Sequence, residues 1–125
     1  DSFIHFAATH RGATLYIDRA QIEQVLINLI KNAKESCGQN TAPQIEVELE
    51  QVPGKVCSLT VRDNGEGILP EVIDKVFVPF FTTKPSGSGI GLSLCKQIMN
   101  LHGGTITVSS EIGKGSCFTL MFPGR

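Results

Sequence analysis

Residues 63–68 read Asp63-Asn64-Gly65-Glu66-Gly67-Ile68, residues 77–84 read Phe77-Val78-Pro79-Phe80-Phe81-Thr82-Thr83-Lys84, and after Pro85-Ser86 comes Gly87-Ser88-Gly89-Ile90-Gly91-Leu92. Two glycine-rich turns thus flank an aromatic, hydroxyl and lysine segment, with a single acid closing a strand-like run. Glycine admits positive φ and close approach by a ligand. A glycine-rich turn that feeds a helix also presents bare amides and the positive end of the helix dipole to phosphate oxygens. The combination suits a purine nucleotide and its phosphates.

The chain on either side supplies the layers. Asp18 stands where an N-cap belongs, and Ile22, Val25, Leu26, Leu29, Ile30, Ala33 and Cys37 follow at steps of three and four, ending at Gly38. This predicts a helix of about five turns, preceded by a short strand over residues 14–17. Ile45, Val47 and Leu49 alternate with glutamates, and Cys57, Leu59 and Val61 resume the alternation after Val52-Pro53-Gly54-Lys55, which predicts a hairpin with one wet face. Pro70 opens a short helix to about Val76, and a second amphipathic helix runs from about Gly89 to Leu101. His102-Gly103-Gly104 breaks it, and a last hairpin follows, with Ile106 and Val108, then Phe118, Leu120 and Phe122, on its inner face. Helices over one face of a mixed sheet make a two-layer α/β sandwich.

The 125 residues are expected to form one domain, long enough to bury roughly two thirds of its unfolded surface. Hydrophobic and charged fractions of 41% and 18% are ordinary for a soluble protein. No apolar run approaches the ~20 residues of a membrane span, so no direct membrane contact is expected. A formal charge of -1 and a pI near 6.3 argue against nucleic acid as a partner. Cys37, Cys57, Cys95 and Cys117 lack metal-ligand spacing and read as reduced thiols of a cytoplasmic protein. The chain begins at Asp1 without a signal-peptide pattern and reads as a soluble, monomeric fragment of a longer protein.

Asn28 and Asn32 lie four apart on the long helix and Glu35 continues their rail. A carboxamide offers an oxygen to Mg²⁺ and an N–H to phosphate, although as an isolated pair the two asparagines fit a solvated helix surface better. Lys31 and Lys34 read as solvated helix charges. Asp63 can accept from an exocyclic amino group, which favours adenine over guanine, whose six-position is itself an acceptor; the alternative is an Asp-Asn-Gly turn without a ligand. The Gly87–Gly91 run is neither a dinucleotide fingerprint nor a Walker P-loop, since no strand precedes it and Gly113-Lys114 has no glycine at the required spacing. Phe77, Phe80 and Phe81 fit either a core or an apolar contact surface.

Together these segments resemble the catalytic ATP-binding domain of sensor histidine kinases, in the GHKL superfamily that also contains gyrase and MutL. Asn28-Leu29-Ile30-Lys31-Asn32-Ala33 is similar to that family's N box, residues 63–68 to its first glycine box, residues 77–84 to its F box and residues 87–92 to its second. His102-Gly103-Gly104-Thr105-Ile106 and Gly113-Lys114-Gly115-Ser116 resemble the last two motifs. The resemblance implies a Bergerat fold that binds ATP with Mg²⁺, with Asp63 on the adenine amino group and Asn32 on the metal. It puts Asn28 and Glu35 near the phosphates and Gly65, Gly67 and Ile68 around the base. Thr82, Thr83 and Lys84 would meet the phosphates beside Gly87, Ser88 and Gly89, with Ile90, Gly91 and Leu92 completing the turn and Ser116 reaching in from the last motif. Catalytic roles would fall to Asn32 and Lys84.

Two departures sharpen the reading. Glu35 stands where other members often carry a base, which leaves phosphate neutralisation to Lys84 and Mg²⁺. Gyrase-like hydrolases carry a glutamate base at the place held by Asn28, so the resemblance implies transfer to a protein nucleophile rather than to water. That nucleophile would be a histidine on a dimerisation and phosphoacceptor domain of the same parent, preceding Asp1, with a response regulator downstream. His5, His10 and His102 lack the acceptor context. Many relatives are membrane-anchored through other segments. An anti-sigma-type serine kinase and a non-catalytic ATP-binding docking module remain as alternatives.

Overall fold

The computed structural model describes residues 4–8, 18–38, 40–52, 56–81 and 90–123. In chain order these form β1 (Ile4–Ala8), α1 (Arg19–Ser36), β2 (Ile45–Val52), β3 (Val56–Asp63), α2 (Pro70–Ile73), α3 (Gly91–Leu101), β4 (Thr105–Glu111) and β5 (Gly115–Pro123). The expected strand over residues 14–17 and the tip of the first hairpin, residues 53–55, lie outside the described residues.

Helix α1 starts where its cap predicts. Asp18 is extended, and its carboxylate accepts from the Gln21 amide at 3.1 Å, satisfying one of the orphan donors of the first turn. Ile22, Val25, Leu29 and Ala33 are buried in a single stripe, and Lys34 sits in the last turn, where the dipole favours a cation. Helix α3 begins at Gly91, two residues later than expected. Helix α2 ends at Ile73 instead of running to about Val76. Its N-cap, Leu69, offers no side-chain acceptor and it carries the β-branched pair Val72-Ile73, so a costly nucleus has little to propagate it.

The sheet is five-stranded in the order β1-β2-β3-β5-β4, with β1 parallel to β2 and every other pair antiparallel. It is therefore mixed, as expected, although β1 itself was not read from the sequence. Both long helices pack on one face of it. Because side chains alternate along a strand, the register lines the inner face with transverse rows. One row is Leu49, Leu59, Leu120 and Ile106; the next is Val47, Val61, Phe118 and Val108. These rows meet the α1 stripe and Cys95, Ile98 and Met99 of α3. The following row is Ile45, Asp63, Ser116 and Ser110. The interlayer space thus turns polar at one end of the sheet.

Among the described residues no helix is long and apolar enough to cross a membrane. Leu29 has 0% exposure at the centre of the interlayer core, whereas Ile27 on the same helix is 58% exposed. Leu29→Ala is expected to cost about 2–5 kcal/mol, from lost transfer energy plus a cavity. Ile27→Ala should stay within about 0.5 kcal/mol. Urea unfolding followed by circular dichroism checks both.

Candidate functional site

A cavity of about 840 Å³ opens at the polar end of the two layers. One wall is the side of α1 next to its core stripe, carrying Gln24, Asn28, Lys31, Asn32, Glu35 and Ser36. The facing wall is mainly apolar, built from Ile68, Leu69, Val72, Val76 and Phe81, with Ile112 from the final turn. Ile90, Gly91, Leu92 and Leu94 close the end nearest α3, and Glu66, Gly67 and Ser116 lie at the other. A carboxamide rail opposite an apolar shelf fits a ligand with one flat face and one polar, charged end.

Asp63 is 5% exposed and is not itself a wall residue. It sits beneath the wall, paired in register with Ser116, and its Oδ1 accepts from the Gly65 amide at 2.9 Å and from Ser36 Oγ at 3.3 Å. Two donors on one oxygen fix the plane of the carboxylate. The glycine turn beside it packs closely against protein. A Cβ on Gly65 would collide with the backbone of Ser36, and the Glu66 amide donates to the Ser36 carbonyl at 3.2 Å. Gly65 therefore admits the end of α1 and is not one of the residues lining the cavity. Gly67 does line the cavity; it holds φ +80, and a Cβ there would strike the Glu111 carbonyl.

Asn28 is held from two sides, accepting from Gln24 Nε2 at 3.1 Å and donating to the Gly91 carbonyl at 3.4 Å. That second bond ties the rail to the start of α3. Asn32 and Glu35 share the wall, as their spacing predicts. Lys31 also lines it, more than the solvated role expected of it, while Lys34 stays off the wall. Ile90, Gly91, Leu92 and Ser116 are on the wall. Thr82, Thr83, Lys84, Gly87, Ser88 and Gly89 lie outside the described residues.

The aromatic segment divides. Phe77 packs edge-on to Phe118 with ring centroids 6.2 Å apart, and Lys96 Nζ lies 5.7 Å from its ring centre. Phe81 faces the cavity, and Phe80 is 74% exposed at φ +67.

Sequence reasoning missed Ser110 and Asn64. Ser110 Oγ accepts from the Ile68 amide at 2.7 Å, donates to the Gly115 carbonyl at 2.9 Å and lies 3.0 Å from Ser116 Oγ. It fastens the glycine turn to the last hairpin. The signal was a hydroxyl at an inward strand position, in phase with Ile106 and Val108. Asn64 imitates a strand neighbour: its Oδ1 accepts from the Gln44 amide at 2.8 Å and its Nδ2 donates to the Ala42 carbonyl at 2.9 Å. Gln24, Glu66, Leu69, Val72, Val76 and Ile112 were also not foreseen on the wall.

Behind the rail, burial pushes the Cys95 thiol up to about 11, against a smaller opposing pull from the Asn28 side chain. Burial, then the nearby Asp63 charge, raises Cys37.

A profile described as "Histidine kinase-, DNA gyrase B-, and HSP90-like ATPase" matches residues 17–125. The chain belongs to this ATPase family. Sensor histidine kinase ZraS of Escherichia coli is 38% identical over 120 residues, covering 96% of this chain and 25% of ZraS. The chain thus spans about a quarter of the length of that curated relative. Among solved structures, a nucleotide-free catalytic domain of the histidine kinase ThkA matches with a TM-score of 0.84 and 35% identity, over 96% of this chain and 78% of that one. ThkA in complex with the response regulator protein TrrA matches at 0.79 and 32% identity, over 98% of this chain and 34% of that one. The fold is the histidine kinase ATP-binding sandwich, and these relatives do not favour the anti-sigma-type alternative.

The raised thiols make stability fall at high pH. Between the ordinary thiol value of 9.0 and about 11, folded Cys95 keeps a proton that the unfolded chain releases, so its contribution is complete below that window and is lost across it. The urea midpoint should drop as pH rises through this range. Cys95→Ala should flatten the fall only in part, because Cys37 and Cys57 shift in the same direction.

Proposed function

We propose that this domain of a longer protein binds ATP and donates its γ-phosphoryl group to a histidine on a separate dimerisation and phosphoacceptor domain of a two-component sensor histidine kinase. The observation that carries this is the cavity itself, with a carboxamide rail on α1, an apolar shelf opposite, and a fixed carboxylate beneath the end where Gly67 and Ser116 lie. Adenine would lie against the shelf of Ile68, Leu69 and Val72, its amino group directed to Asp63, with Gly67 and Ser116 alongside. Guanine would set an acceptor carbonyl against that carboxylate, and an unmatched buried pair of acceptors is unfavourable. The phosphates would run along the rail toward Asn28 and the start of α3, where Gly91 and Leu92 stand. Thr82, Thr83, Lys84 and the Gly87–Gly89 turn are assigned to that end by their motif.

The donor set fits Mg²⁺ carried by the nucleotide. Among the described residues no three His, Cys, Asp or Glu side chains converge into a metal-binding group, while Asn32, a neutral carboxamide, lines the wall. When bound, Mg²⁺ supplies charge neutralisation to the phosphate oxygens. Asn32 would hold it, and Asn28, tied to Gln24 and Gly91, would orient the phosphate chain. In the transfer, a neutral imidazole nitrogen bonds to the γ phosphorus as the bond to the β–γ bridging oxygen breaks. ADP leaves and the ring gives up its proton. The rail contributes positioning, which is most of what phosphoryl transfer asks of a protein.

His102 is not that nucleophile. Its Nε2 accepts from the Asp18 amide at 2.9 Å and its Nδ1 lies 2.8 Å from the Ile98 carbonyl, so both ring nitrogens serve the fold. The match to ThkA in complex with TrrA supports onward transfer to a response regulator, and use of ATP supports a cytoplasmic site of action.

Calorimetric titration tests the reading. ATP is expected to bind saturably with Mg²⁺ and GTP not, and Asp63→Asn should cost about 1–3 kcal/mol of ATP affinity. Equal binding of GTP, or an indifferent Asp63→Asn variant, would remove the adenine assignment. Supplied with its parent's acceptor domain and ATP labelled at the γ phosphorus, the chain should transfer label to histidine, giving an acid-labile and alkali-stable product. Asn32→Asp should lose transfer more severely than ATP affinity; equal losses would count against its placement at the metal.

A further inference from the structure

We infer that Lys31 is a phosphate-binding cation of this cavity, reaching the β- and γ-phosphoryl oxygens from the outer edge of the α1 rail. The inference rests on the nucleotide reading above and adds a residue to it. Lys31 lines the cavity between Asn28 and Asn32, and the other ionisable side chains described on the wall are Glu35 and Glu66. Without Lys31 the described wall would offer a polyanion two carboxylates and no cation. With it, one ammonium stands beside the carboxamides that would receive the phosphates.

Position along the helix selects the phosphates rather than the ribose. Ser36, bonded to Asp63, marks the base end of α1. At 1.5 Å per residue, Lys31 lies about 7.5 Å and Asn28 about 12 Å further along the axis. Helical side chains lean toward the N-terminus, so the four-carbon stem of Lys31 carries its ammonium toward the level of Asn28. The side chain is exposed and pairs with no described carboxylate, so it is available to a ligand. Lys34, exposed on the same helix, is absent from the wall and serves as the control.

The test titrates the 125-residue chain with ATP, ADP and AMP in Mg²⁺ at low and moderate salt. Lys31→Gln should weaken ATP and ADP roughly ten-fold, as expected for loss of a charge-assisted bond, and AMP less than two-fold. It should also flatten the salt dependence of ATP binding. Lys31→Arg should restore most of the ATP affinity, and Lys34→Gln should match the parent chain. Unchanged ATP binding by Lys31→Gln overturns the inference. So does equal weakening of ATP and AMP, which would mean a general disturbance of the site. Failure of the unaltered chain to bind ATP would instead sink the nucleotide reading, and this inference with it.

Discussion

The structure depends on one transverse row of the sheet, in which Ile45, Asp63, Ser116 and Ser110 stand side by side at the polar end of the interlayer space. Period-two alternation puts Asp63 in phase with Cys57, Leu59 and Val61, and Ser116 in phase with Phe118, Leu120 and Phe122. Their side chains must therefore point into the core. A buried carboxylate is tolerable only with donors, and its donors come from the end of α1 and from the Gly65 amide. One arrangement meets the needs of the fold and leaves a polar floor for a ligand. A one-residue slip of β3 against β5 would turn Asp63 to the other face and bring Arg62 or Asn64 into the core.

Helix α1 serves both layers because its two stripes are adjacent. Val25, Leu29 and Ala33 fill the core, while Asn28 and Asn32 lie next to them around the helix and face the cavity. The rail inherits the rigidity of a packed helix, which a loop-borne site would lack. The Asn28 bond to the Gly91 carbonyl then transmits that rigidity to the start of α3. Glycines complete the fit by removing Cβ atoms where backbones meet: Gly65 against Ser36, and Gly67 against Glu111.

Much of this was legible in the sequence, because the decisive signals are local. The Asp18 cap, the α1 stripe, the alternation of β2 and β3 and the placement of Asn28, Asn32 and Glu35 on one wall all follow from spacings within a few residues. What escaped depends on pairing between distant segments. Ser110 serves Ile68 across 42 residues and Asn64 serves Ala42 across 22, so neither shows its role until the strands are in register. Strand β1 has no hairpin turn to announce it, since a parallel pair needs a long crossover, here made by α1. On the sequence alone Lys31 looks like any solvated helix charge, and only the shelf opposite its side of α1 makes that side a wall.

The same geometry bears on why such a site would favour a protein nucleophile over water. A hydrolase needs a base beside the terminal phosphate to take a proton from water. At the corresponding place on the rail stands Asn28, a neutral carboxamide whose oxygen accepts from Gln24 and whose amide donates to Gly91. It can orient a phosphate but it cannot take a proton at neutral pH. An imidazole arriving in its neutral form brings its own lone pair, so the missing base costs the transfer little while it holds back hydrolysis. In the proposed transfer the wall would supply position and charge, and the electron pair would come from outside it.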